Sequence, residues 1–150
     1  MQSERIVVGL DGSPDGDAAL RWAARLAAAS GGEVVVVHAV EPPPDDVRPL
    51  NLPRAILNEE NWCEALTAEV EGAWCARLSE AGVRHRVRVV VGRAGPRLVE
   101  IAAEEHADLI VAGRGGQAEL ADVVHGGVAS YLTHHAPCPV AVVPNERQAA

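Results

Sequence analysis

The chain has 150 residues, with 13 arginines, no lysine, 21 acidic residues and a formal net charge of −8. That length suits one domain and is short for two; 48% hydrophobic content provides a core, which the absence of Phe leaves largely to alanine and valine. The charge balance and missing lysine argue against general nucleic-acid or anionic-membrane binding, a lysine-bearing P-loop and lysine-nucleophile chemistry.

Arg5–Asp11 is a β-branched run stopped by an Asp-Gly-Ser-Pro turn signal, which predicts a strand. Asp15–Ser30 has helical spacing through Ala19, Trp22, Ala23, Leu26 and Ala27, closed by Gly31 and Gly32. Glu33–Val40 is apolar almost throughout, as in a strand covered on both faces. The proline-rich stretch from Glu41 to about Pro53 predicts a long surface loop. One long helix is expected over Asn58–Ala81, ended by Gly82.

Val83–Val91 predicts the third strand, Pro96–His106 the third helix and Asp108–Ala112 the fourth strand. The glycine-rich stretch Gly113–Gly127 leads into a helix from about Val128 to His135; Pro139–Val143 is the last strand and Asn145–Ala150 a polar tail. This alternation predicts an α/β fold, a doubly wound parallel sheet in a single domain spanning residues 1–150. Ligands on such sheets bind beyond the carboxyl ends of the strands, here Asp11, Ala39, Gly92 and Gly113.

No apolar run approaches the roughly 20 residues of a membrane span and no basic-apolar leader opens the chain, so a cytoplasmic protein is expected. Cys63, Cys75 and Cys138 imply neither a disulfide framework nor a metal site, and Cys138 reads as packing. His38 lies in a valine-rich strand and reads as a hydrogen-bonded core residue. His134 and His135 suit the C-terminal dipole of their helix, while His85, His106 and His125 stand alone. Arg84, Arg86 and Arg88 alternate along the third strand. No nucleophile elbow or catalytic acid pair is present, and no catalytic residue is assigned.

The strongest local signal is Gly113-x2-Gly116-x9-Gly126, with Gly127 before a helix. Glycines after a buried strand let backbone approach a ligand, and a helix start offers N–H groups to an anion. A plain glycine-rich connector is the alternative. Asp11, at a strand end before Gly-Ser-Pro, is either a nucleotide contact or a turn former.

With Ile6–Ser13, Val36–Val40 and the closing Ala136–Pro144, this glycine motif resembles the universal stress protein family over residues 4–144. The resemblance implies a Rossmann-like, adenine-nucleotide alpha hydrolase-like fold, five parallel strands in the order 3-2-1-4-5, and a dimeric, non-enzymatic stress-response protein that binds ATP. Strand 3 would then be an edge, its arginines resisting unwanted strand pairing. Carried over by position, the nucleotide site would use Gly9, Leu10, Asp11, Ala39, Ala112, Gly113, Gly115, Gly116, Gly126, Gly127, Val128 and Ala129, with Arg114 as the cation of the loop. Whether Mg²⁺ accompanies ATP is left open.

The homodimer would form through the uncharged last strand, Pro139–Pro144. The sequence departs from the ATP-binding pattern by Gly127 and Ala129, where the family has Ser or Thr; Ser130 comes one residue late, rotated about 100° around the helix. Restoring serine at 127 is expected to tighten ATP binding about tenfold unless Gly127 has positive φ. The alternatives are an interaction member that binds no nucleotide and a slow ATP hydrolase or phosphotransferase.

Overall fold

A computed structural model describes residues 4–41, 59–114 and 127–145. In chain order they form β1 (Arg5–Gly9), α1 (Pro14–Ser30), β2 (Glu33–Val40), α2 (Glu59–Glu69), a π-turn (Val70–Trp74), α3 (Ala76–Glu80) and β3 (Arg84–Val91). α4 (Ala94–Glu104), β4 (Leu109–Gly113), α5 (Gly127–His135) and β5 (Val140–Val143) complete the fold. All strand pairs are parallel, in the order β3-β2-β1-β4-β5 implied by the resemblance. The proline-rich stretch beyond Glu41 and the tail beyond Asn145 lie outside the described residues.

Alternation along the strands divides the core in two. Ile6, Val8, Leu10, Val34, Val36 and Val111 face α1 and the π-turn–α3 segment; Val7, Val35, Val37, Ile110 and Ala112 face α4 and α5. α1 approaches closely because Ala19, Ala23 and Ala27, spaced by four, are buried against the sheet. Leu98, Ile101 and Leu132 fill the opposite layer.

The single helix expected over Asn58–Ala81 is broken. The Cys75 N–H donates to the Val70 carbonyl at 3.0 Å, an i to i−5 bond, so one residue is inserted into the helical ladder. Val70 and Cys75 would lie about 140° apart on a regular helix. The insertion brings both, with Leu78, into one buried layer. Gly82, at φ 69, then ends α3 as expected.

Other boundaries move for local reasons. β1 ends at Gly9 instead of Asp11: the Leu10 N–H still bonds Val37, but the chain then turns on Asp11. α4 begins at Ala94, with Pro96 tolerated in its first turn, and stops before His106, whose φ of 51 is left-handed. β3 is an edge strand, yet its arginines are not simply solvated. Arg86 pairs with Glu33 (2.6 Å) and Glu105 (2.5 Å), and Arg88 with Glu104 (2.9 Å).

Candidate functional site

The central strands β1 and β4 are paired neighbours where the strand order reverses, so their carboxyl ends mark the ligand position of this architecture. Beyond β1, Asp11 Oδ1 accepts the Ser13 N–H at 2.9 Å and the Ser13 hydroxyl proton. Ser13 Oγ in turn accepts the Gly16 N–H at 3.1 Å and caps α1, whose first residue is Pro14. Asp11 therefore forms the turn that launches α1. Gly12 occupies the left-handed region within it, at φ 80.

Gly113 ends β4 directly beneath that helix start. A Cβ there would lie 2.7 Å from both the carbonyl carbon and oxygen of Asp15. The closeness that its glycine implied is to the backbone of α1, a packing reason that stands whether or not a ligand binds. Gly9 is similarly confined, with Leu98 Cδ1 2.8 Å from where its Cβ would be.

The Arg114 N–H donates to Val143 at 3.1 Å, and its side chain is exposed. Gly115, Gly116 and Gly126 lie outside the described residues. Gly127 opens α5 at φ 63, and Val128 and Ala112 both pack into the α4–α5 core. Ala129 and Ala39 are half-buried. The first N–H groups of a helix such as α5 have no partner within it.

The sequence profile of the Universal stress protein family matches residues 2–144. The chain belongs to that family. Universal stress protein Rv2005c of Mycobacterium tuberculosis is 32% identical over 140 residues, which cover 92% of this chain and 47% of that protein. A Thermus aquaticus universal stress protein is 32% identical over 142 residues, covering 92% of this chain and 96% of the other. The chain thus spans about half the length of the mycobacterial relatives it matches.

Among solved structures, a universal stress protein in complex with cAMP aligns at TM-score 0.64 and 30% identity, over 95% of this chain and 98% of that one. UspA from Lactobacillus plantarum aligns at TM-score 0.71 over 95% and 99% of the two chains; at 23% identity it speaks for the fold.

The remaining candidates in this universal stress protein chain fall outside the strand-end site or take structural roles. His38 Nδ1 lies 2.8 Å from the Leu10 carbonyl oxygen, the hydrogen-bonded role expected for it. His134 and His135 sit in the last turn of α5, with His134 Nδ1 2.8 Å from the Ser130 carbonyl and His135 stacked on Tyr131 at 4.3 Å. Burial, with Glu71 nearby, pushes the Cys75 thiol up to about 11, and burial also raises Cys138. Among the described residues no group of three His, Cys, Asp or Glu side chains could hold a metal ion, and no helix is long and apolar enough to cross a membrane.

Sequence reasoning passed over two features of the strand-end region. Ser13 is a helix cap, legible from Ser-Pro-Asp followed by a second Asp at 17. Trp74, within the span expected as one long helix, packs beside Gly12 and His38. No local signal announces that placement, because it depends on the inserted residue of the π-turn.

Proposed function

We propose that this universal stress protein binds an adenine nucleotide at the carboxyl ends of β1 and β4 and acts as a regulator, not as a catalyst. The observation that carries the reading is the likeness, at 30% identity over 95% of the chain, to a universal stress protein crystallised with cAMP. The site would use backbone from Gly9, Leu10, Ala39, Ala112, Gly113 and Gly127–Ala129, with Asp11 near the ribose and Arg114, Gly115, Gly116 and Gly126 around phosphate. ATP is the ligand proposed first, because the spacing Gly113-x2-Gly116-x9-Gly126 survives although the hydroxyls at 127 and 129 do not.

The proposal takes the chain as one cytoplasmic domain with its core at residues 4–144, paired as a homodimer through β5. Binding would change the surface shown to a protein partner. Mass spectrometry of small molecules that co-purify, with calorimetric titration of ATP and cAMP, tests it. A nucleotide-free protein that gives no heat with either ligand at millimolar concentration would promote the interaction-only reading. Single-turnover hydrolysis that is appreciable and lost on changing Asp11 would promote the enzyme reading.

A further inference from the structure

The β1–α1 turn is gripped from two sides by residues outside the glycine motif. From β2, the His38 ring donates through Nδ1 to the Leu10 carbonyl at 2.8 Å. From the end of the π-turn, the Trp74 indole stands against Gly12: a Cβ on that glycine would lie 3.0 Å from Trp74 Cζ2. The two rings meet edge-on, with centroids 4.9 Å apart and planes at 79°, the attractive T-shaped geometry of aromatic pairs.

Leu10, Gly12, His38 and Trp74 therefore form one contact chain from the strand end to the helix layer. Gly12 sits within it at a left-handed φ of 80, open to glycine but costly to other residues. An open cleft of about 840 Å³ lies beside the grip, lined by Leu10, Gly12, Ser13, Trp74 and Arg77 among others. Trp74 is half-buried. π-turns recur at functional sites, and here the last residue of the π-turn, Trp74, lies against the turn that carries Leu10 and Asp11.

We propose that Trp74, with His38, is a positioning residue for the nucleotide site. It holds the Leu10–Gly12 turn in its binding conformation, and its indole shifts when that turn takes up nucleotide. This rests on the nucleotide reading above, and adds to it a positioning residue outside the glycine motif.

The test uses the full chain with Trp22→Phe and Trp62→Phe, which leaves Trp74 as the sole indole. ATP and cAMP are titrated by calorimetry and by tryptophan emission in parallel. Emission is expected to change in step with calorimetric saturation. Trp74→Ala is expected to weaken binding by up to about tenfold, the scale of one aromatic pair, while Trp74→Phe keeps a ring between Gly12 and His38 and stays within about threefold.

Unchanged emission at calorimetric saturation overturns the proposal and leaves nucleotide binding standing. So does a folded Trp74→Ala protein that binds as tightly as its parent. No heat with either nucleotide removes both readings. Should Trp74→Ala fail to fold, the emission titration decides alone.

Discussion

At Gly113 and Gly127, two glycines of one motif meet different constraints. The Cβ missing from Gly113 would collide with main-chain atoms of Asp15 at 2.7 Å, and a helix backbone cannot swing aside as a side chain can. Gly113→Ala should therefore destabilise the protein by about 1–3 kcal/mol, the range for overpacking, seen as a lower urea midpoint without ligand. An unchanged midpoint would mean that α1 does not press on β4 as described. Gly127 is constrained by its φ of 63. A serine there gains a hydroxyl worth about 1.5–3 kcal/mol against a charged phosphate, but bears a left-handed backbone cost of about 1–2 kcal/mol. Where nucleotide imposes the left-handed backbone from which the free serine variant relaxes, the two nearly cancel. Gly127→Ser should change ATP affinity by less than about fivefold instead of tightening it tenfold, and calorimetry on the two proteins distinguishes these results.

On the scale of elements, the β3 edge is stabilised by its link to the end of α4. α4 covers β1 and β2, and on that face Arg86 and Arg88 extend over the flank of the edge strand. They converge on Glu105, whose carboxylate is 13% exposed and lies 3.9 Å from Arg5 as well. An acid at a helix C-terminus is unfavourable with the helix dipole; three guanidinium groups reverse the sign. Hydrogen bonding from Arg86, with the charges of Arg86, Arg88 and Arg5, holds the Glu105 carboxyl below the ordinary glutamate range.

A lowered folded-state pKa contributes stability that is full above the unfolded value and lost as pH falls through the folded one. Glu105→Gln should cost about 1–2 kcal/mol at pH 7, between the exposed and buried ion-pair ranges. That difference should shrink below the ordinary glutamate value of about 4.3, as chemical melts across pH will show. A gap that persists undiminished to pH 2 would mean that packing, not charge, is lost.

For the whole molecule, the two sheet edges differ in character. β3 carries the arginine network, whereas β5 is four apolar residues with Val142 37% exposed. An unpaired apolar edge is a template for strand addition, and the proposed two-fold pairing of β5 with its copy would close it. Val142→Lys should then convert a dimer to a monomer by light scattering at micromolar concentration, with melting behaviour otherwise close to that of the isolated protomer. A wild-type protein that is already monomeric at high micromolar concentration would contradict the proposed homodimer.

Strand and helix types were legible along most of the chain because apolar periodicity is a local property. The valines of Glu33–Val40 and the alanines of α1 declare their faces within a few residues. The strand order followed from motifs set at intervals from Ile6 to Pro144, a resemblance and not a periodicity. Periodicity could not show the break at Val70–Trp74: it reports that Val70, Cys75 and Leu78 are apolar, but only their shared burial under one layer demands an inserted residue.

The candidate site divides in the same way. Gly113 announced a close approach in the sequence, yet the approaching atoms belong to Asp15, 98 residues away toward the N-terminus. Asp11 could be read as a turn former or a contact, and its bonds to Ser13 establish the turn role. Trp74 gained its position beside Gly12 through a crossing of segments more than sixty residues apart. The sequence by itself determined which way most residues face, since that depends on near neighbours and backbone geometry. Which residue each one meets was decided only by the tertiary structure, where distant segments compete for the same space.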